Sequence, residues 1–365
     1  MASTYLNRTF GTATNRKKCT LSVWLKRAIV NNSAYHFFVS SYNSSSDRLG
    51  FYFNTGDTLD VYSPGTNSMH VGTNKVHRDI NSWYHVVFKI DSTQSTASDR
   101  VKIYVNGEQE TSLSNSTYPN QDDNMAFGTS SYNMYIGNYE GSNYYYDGAM
   151  SHLHFCDGYA YEPTEFGETD STTGEWKIKT AVSVNYGNQG FSILQDGMTI
   201  TDQSSNSNNF SVGGGTLTKT EDSPSNVFCT LNPLQKAETG MSVTYSFGNT
   251  KYAGNSSNWQ RAYGTIGANT GKFYYEFKCL NTAGTSDQLR VGWDSIDNIN
   301  SGTDNYYSGL TIDTAGKLRG GEDGYNNYDP NAVQMTAAYS GGNFSFGVGD
   351  ILGMAIDIDN NTFSV

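Results

Sequence analysis

Apolar and polar residues alternate with a period of two through much of this chain, in short runs broken by Gly, Asn, Ser and Asp. That pattern limits the fold more than any other feature. Arg100 to Asn106 places Val101, Ile103 and Val105 on one side and ends at Asn106-Gly107. An Asn-Gly pair between alternating runs predicts a hairpin, because both central residues must take φ > 0. Trp83 to Ile90 alternates Tyr84, Val86, Phe88 and Ile90 against Trp83, His85, Val87 and Lys89. Thr20 to Lys26 sets Leu21, Val23 and Leu25 opposite Trp24. Leu49–Asn54, Leu59–Tyr62, Asn133–Gly137, Ala149–Phe155, Phe273–Cys279, Gln288–Trp293, Leu310–Ile312 and Ile351–Ile358 also read as strands. No stretch keeps a helical apolar period for three turns. Short strands separated by turn residues predict an all-β sandwich or barrel.

A length of 365 residues suits two or three domains. Residues 1–170 form one strand-rich region and 241–365 a second. Residues 171–240 between them read as a polar linker or wrapping segment, whose most polar tract is Asp202 to Asn209 (DQSSNSNN). The last residues, DILGMAIDIDNNTFSV, stop in mid-strand and would leave an open edge, so the polypeptide is expected to continue and the second sandwich to be incomplete.

Charge and cysteine usage exclude several functions. Lys+Arg number 23 against 35 Asp+Glu, a formal net of −12. An acidic surface attracts neither phosphate backbones nor anionic membranes. No run approaches 18 apolar residues, so no membrane insertion is expected. The start, MASTYLNRTFGTATNRKKC, lacks the apolar region of a secretory signal. Cys19, Cys156, Cys229 and Cys279 form no CxxC pair and read as small semi-buried hydrophobes in a reducing cytoplasm.

Few motifs carry chemistry. Glycoside hydrolysis needs two carboxylates flanking the scissile bond. Asp357 and Asp359 are two acids at a strand end, and Glu108 and Glu110 read as a solvated hairpin flank. No enzyme is expected. Gly213-Gly214-Gly215 reads as a flexible tract without the Lys-Ser/Thr of a phosphate loop. His152 and His154 would share one strand face, but a third metal ligand is missing and a partly exposed sheet face is the expectation. No cofactor is expected. Calcium is the one ion the polar loops could take, with hard oxygens at Asp122, Asp123, Asn124 and Asp147 and no ligand set assigned.

Tyrosine supplies the strongest surface signal, with 27 in the chain. Tyr139, Asn143, Tyr144, Tyr145, Tyr146 and Asp147 crowd one loop and are the expected glycan- or partner-binding residues. Tyr306, Tyr307, Tyr325 and Tyr328 cluster similarly in the second region. Such rings can stack on sugars or serve as rigid contact area in a protein interface.

Three segments in order resemble laminin-G-like domains of the concanavalin A-like lectin/glucanase superfamily. They are CTLSVWLKR (Cys19–Arg27), NSWYHVVFKID followed by DRVKIYVNGEQ (Asn81–Gln109), and YIGNYEG through YAYEPTEFG (Tyr135–Gly167). NRTFGTATNRKK, FCTLNPL and above all FGETDSTTGEW (Phe166–Trp176) are similar to segments of structural and adhesion virion proteins of marine bacteriophages. TGKFYYEFKC, LRVGWDS and GDILGMAIDIDNNTFSV resemble a SPRY domain. The resemblance implies an antiparallel jelly-roll sandwich followed by a second, SPRY-like sandwich. It implies a tail fibre, spike or other surface appendage of the virion, made in the host cytoplasm, that binds a host surface glycan or receptor. Other virion proteins would be its partners, and a homo-oligomer is implied, trimers being usual for such appendages. The alternatives are a purely structural capsid- or tail-attached docking or decoration protein and, less favoured, a glycan-degrading enzyme.

Overall fold

The computed structural model describes residues 3–30, 33–65, 68–141, 143–195, 199–234, 243–254, 260–282, 289–294, 310–316, 318–319 and 345–365. The chain divides into two compact units. The first comprises Met1–Thr230 with Tyr245–Lys251, and the second Leu231–Thr244 with Tyr252–Val365.

In the first unit the strands run β1 (Tyr5–Thr9), β2 (Lys18–Arg27), β3 (His36–Ser44), β4 (Asp47–Phe53), β5 (Thr58–Ser63), β6 (Met69–Val76), β7 (Tyr84–Asp91), β8 (Val101–Val105), β9 (Glu108–Gln109) and β10 (Leu113–Thr117). Then follow β11 (Asn133–Ile136), β12 (Gly148–Asp157), β13 (Gly167–Thr169), β14 (Trp176–Ile178), β15 (Phe191–Ile193) and β16 (Ser211–Gly214). They make two antiparallel sheets, an eight-stranded β10-β6-β5-β4-β3-β11-β1-β16 and a six-stranded β15-β12-β2-β7-β8-β9. The alternation sets which residues face inward. Leu21, Val23 and Leu25 of β2, Val86, Phe88 and Ile90 of β7, and Val101, Ile103 and Val105 of β8 share one core with Leu49, Phe51 and Phe53 of β4. The expected hairpin forms at Asn106 and Gly107, whose φ values are 50° and 83°.

Residues 171–230, expected to be a linker or wrapping segment, contribute β14, β15 and β16. The polar tract is itself packed. Asp202, 8% exposed, accepts the Ser192 N–H at 2.9 Å and the Asn208 N–H at 2.8 Å. The Asn208 amide donates to the Asn188 and Gly190 carbonyls. Burial of these side chains is tolerable because their polar atoms are paired. Gly213 and Gly214, read as flexible, lie in β16 against the Tyr5 ring. A Cβ on Gly213 would approach that ring to 2.2 Å.

The segment FGETDSTTGEW is a structural clasp. It folds as the β13–β14 hairpin, with Thr169 opposite Trp176. The indole of Trp176 covers the outer face of the six-stranded sheet and donates to His85 Nδ1 at 2.8 Å. His85 thus stacks between Trp24 (4.9 Å, 16°) and Trp176 (5.9 Å, 18°). A Cβ added to Gly107 would lie 2.5 Å from the Trp176 ring, at a backbone φ that already disfavours alanine. Gly107→Ala is therefore expected to destabilise the unit by about 1–3 kcal/mol. Urea unfolding of the variant measures this, and a midpoint equal to wild type would contradict the clasp.

Two short strands, β17 (Val243–Ser246) and β18 (Lys251–Gly254), lie in the stretch of chain divided between the units. The second unit has β19 (Lys272–Lys278), β20 (Arg290–Trp293), β21 (Leu310–Asp313), β22 (Leu318–Arg319), β23 (Ile351–Asp357) and β24 (Thr362–Ser364). They form two antiparallel three-stranded sheets, β19-β23-β24 and β20-β21-β22. Cys279, Ile312, Phe346, Leu352 and Met354 make its small core. Of the four cysteines, expected as semi-buried, Cys19, Cys156 and Cys279 are buried and Cys229 is exposed.

Candidate functional site

The aromatic loop lies beside the outer face of the eight-stranded sheet. On β4, Leu49, Phe51 and Phe53 enter the core, so Arg48, Gly50 and Tyr52 take the other face. Strand register extends that face sideways. Tyr42 pairs with Arg48, Phe37 with Tyr52, and Gly50 with both Ser40 and Tyr62. Gly50 is glycine for a reason, since a Cβ there would meet the Phe37 ring at 2.4 Å. The space it leaves lets Phe37 lie flat against Tyr52, with centroids 4.5 Å apart.

The loop after β11 closes on this floor. The Tyr139 N–H donates to the Asn143 carbonyl, and the Phe37 N–H donates to the Tyr144 carbonyl at 3.2 Å. Tyr144 takes φ = 53°, a left-handed conformation unusual for a bulky side chain. Its ring, 45% exposed, meets Tyr35 edge-on at 5.5 Å, and Tyr35 is 38% exposed. Behind this rim, Tyr139 packs on Phe37 at 4.9 Å and on Tyr42 at 5.7 Å. Burial pushes the Tyr139 phenol up to about 12, so it stays a neutral hydroxyl.

The expected site residues therefore separate. Tyr139, Asn143 and Tyr144 are brought together at the rim. Tyr145 turns toward Tyr5 (6.3 Å), while its carbonyl accepts from His36 Nδ1 at 3.2 Å. Tyr146, expected at the site, is instead a core residue, 7% exposed, and its hydroxyl donates to the Lys26 carbonyl at 2.9 Å. It cannot touch a ligand. The one-residue parity of extended chain sends neighbours Tyr145 and Tyr146 to opposite sides. Asp147 is half-buried, and burial raises its carboxyl above the usual carboxylate range. Its carbonyl accepts the Ala28 N–H, so it serves to anchor the loop. Tyr35, Phe37, Tyr42, Arg48, Tyr52 and Tyr62 were not expected at the site. Arg48, Tyr52 and Tyr62 fall in or beside the runs read as strands, but Phe37 and Tyr42 lie on β3, which was not read, and the register that assembles the group has no sequence signal. Tyr306, Tyr307, Tyr325 and Tyr328 lie outside the described residues.

The acids and histidines are engaged elsewhere. Asp60, fully buried, accepts from His70 Nε2 at 2.7 Å and Thr58 Oγ1 at 2.9 Å. Asp122 pairs with Lys17 at 2.9 Å, and Asp123 caps its own turn by accepting the Asn120 N–H. Lys75 holds Glu110, and Lys272 holds Asp357. Among the described residues no cluster of three or more His, Cys, Asp or Glu is placed to hold a metal ion. His152 and His154, expected on one face, are separated by a β-bulge at which His152 takes φ = 46°. His154 is buried and bonded to the Tyr186 hydroxyl at 2.8 Å, so the expected partial exposure does not hold for it.

Ser22 Oγ lies 2.8 Å from His85 Nε2, the spacing of a nucleophile and its base. The polarity is opposite. The Trp176 N–H can only donate, so Nδ1 of His85 must accept and Nε2 must carry the proton. His85 then donates to Ser22 and cannot take its proton.

The family match agrees with this architecture. The family of concanavalin A-like lectin/glucanases called Laminin_G_3 matches residues 2–165. No curated protein matches the chain. Among solved structures, the native heptameric SAP-like pentraxin from Limulus polyphemus is 15% identical, over 42% of this chain and 70% of that one, with a TM-score of 0.30. The Ruminococcus gnavus IT-sialidase CBM40 is 14% identical, over 44% of this chain and 93% of that one, with a TM-score of 0.30. The tailspike protein 2 from Escherichia coli O157:H7 bacteriophage CAB120 is 9% identical, over 44% of this chain and 22% of that one, again at 0.30. Three ordered motifs, two antiparallel sheets around one core and the family match lead to one statement: residues 2–165 form a laminin-G-like domain of the concanavalin A-like lectin/glucanase superfamily, with a lectin-like fold.

Proposed function

We propose that the first unit is a non-catalytic glycan-binding module of a bacteriophage virion appendage, a tail fibre or spike, that attaches the particle to a host surface glycan. The observation that carries the proposal is the aromatic rim of Tyr35 and Tyr144 over the Phe37–Tyr139 floor. Sugars present flat C–H faces that stack on such rings, and rings already held by packing lose little entropy on binding. The single contact would be weak, and several copies on one particle would turn it into avidity. The reading as non-catalytic is supported by the reversed Ser22–His85 polarity and by the engagement of Asp60 beneath the face. The second unit is read as SPRY-like, supported by full antiparallel pairing of KFYYEFK with ILGMAID, and is assigned contacts with other virion proteins.

A glycan array probed with the full chain tests the proposal. Binding to at least one bacterial surface polysaccharide is expected. Tyr144→Ala is expected to weaken it by about tenfold, equivalent to about 1.4 kcal/mol. Absence of binding to any polysaccharide would favour the purely structural docking role, and turnover of a bound glycan would overturn the non-catalytic reading.

A further inference from the structure

The outer face of the eight-stranded sheet holds one guanidinium, that of Arg48, with no hydrogen-bond or ion-pair partner among the described residues. Six arginines precede residue 230. Arg8 bonds Gln189, Arg16 the Met125 carbonyl, and Arg100 the carbonyls of Gln94, Ser95 and Pro119. Arg27 and Arg78 share Asp57. Arg48 is the exception. It is half-buried on β4, with its guanidinium 5.2 Å from the Tyr139 ring centroid and 5.9 Å from that of Tyr62. Among the described residues it has no hydrogen bond and no ion pair. The electron-rich ring faces explain how an unpaired guanidinium is tolerated there, but they leave its N–H donors unspent.

The nearby acids do not fill the gap. Asp60 is spent on His70 and Thr58, Asp47 accepts from Tyr132 and Asn43, and Glu140 accepts from Asn143. Two polar groups of the adjoining loop also lack a hydrogen-bond partner among the described residues: the buried Tyr139 hydroxyl, and both atoms of the fully buried Asn138 amide.

We infer that this face binds an acidic sugar, with Arg48 receiving its carboxylate between Tyr62 and Tyr139. A guanidinium presents two parallel donors that match a planar carboxylate, and flanking rings direct the approach into the guanidinium plane. The rim of Tyr35 and Tyr144 takes the apolar face of a neighbouring sugar unit. The inference rests on the glycan-binding proposal and deepens it by naming the ligand class. A carboxylated sugar of a bacterial capsule or envelope polymer can be a uronic or a sialic acid; the two share this chemistry.

An array carrying uronic-acid and sialylated glycans beside their methyl-esterified or neutral counterparts tests the inference. Hits are then followed by calorimetry. The full chain is expected to prefer one acidic class over its neutral counterpart by at least tenfold, and which class responds identifies the source of the carboxylate. Arg48→Gln should abolish that preference, and Arg48→Lys should keep only part of it because a point charge replaces the fork. A wild-type thermal midpoint for both variants excludes unfolding. Equal binding of acidic and neutral forms, or a preference unchanged in Arg48→Gln, overturns the acidic-sugar inference and leaves glycan binding intact. No binding to any glycan overturns both.

Discussion

Lowering the pH from 7 to 5 is expected to remove about 5 kcal/mol of stability from the first unit, before most carboxylates titrate. Three histidines are the cause. Burial lowers His77 to about 4, with the Lys75 and Arg27 charges adding to it. Burial likewise lowers His85 and His154 to about 3. Each is at most 2% exposed. For His85 the Trp176 N–H already occupies Nδ1, so a second proton there would cost that bond as well. The sign follows from linkage. An unfolded histidine binds a proton near pH 6.5, whereas these three in the fold do not until about pH 4 or below. Their neutral burial is therefore fully favourable above about pH 6.5 and is lost as the pH falls from there toward 3. Each contributes a slope of about 1.4 kcal/mol per pH unit. Urea unfolding at half-unit pH steps reads the slope directly. His85→Gln should lessen it by about a third, and a flat stability between pH 7 and 5 would refute the neutral burial.

Much of this fold was legible because most strands have one face in the core and one outside. Val101, Ile103 and Val105 of β8 were read as one face and lie in the core, and the alternating sets read on β2 and β7 put Leu21, Val23, Leu25, Val86, Phe88 and Ile90 there too. β3 was missed because residues of both parities are buried along His36–Ser41, Phe38 beneath and Phe37 under its aromatic neighbours. A strand covered on both faces has no period to detect. The packing of the 202–209 tract was hidden for a related reason. Hydropathy marks Asp, Ser and Asn as solvent-facing, and only the hydrogen bonds of Asp202 and Asn208 show that they are packed.

The site was legible in composition but not in geometry. The crowd of tyrosines marked the correct loop. Which of them face outward depends on the left-handed turn at Tyr144 and the close return of the chain along β3. Neither has a sequence signal, because a positive φ is normally announced by Gly or Asn. The same holds for Arg48. In sequence it is one charge in SSSDRLG. Its isolation becomes visible only when β4, β5 and the 139 loop are brought side by side.

Asp57→Asn is expected to cost about 3–5 kcal/mol, the range for breaking a buried ion pair from one side. The Arg27 side chain is 1% exposed and Asp57 2%, with 2.8 Å between Nη2 and Oδ1. The second Asp57 oxygen takes Arg78 Nε at 2.7 Å. Arg27 Nη1 donates to the His77 carbonyl at 2.6 Å, and its guanidinium lies 4.4 Å from the Phe53 ring centroid. The pair thereby joins β2 to the β4–β5 turn and to the chain beyond β6. Asparagine keeps the shape and tolerates the 66° φ of position 57, so the loss reports the charge together with the one acceptor oxygen that an amide NH2 cannot replace. Arg27→Met should cost less, because Asp57 would still have Arg78. Arg27→Met combined with Asp57→Asn should recover part of the single-variant loss, since no uncompensated charge then remains buried. Chemical denaturation of the four proteins at pH 7 completes the cycle. A cost below about 1 kcal/mol for Asp57→Asn would place the pair among solvent-screened ion pairs. In that case the junction between β2 and the β4–β5 turn would rest on the apolar contacts of Phe53 and Tyr146 instead.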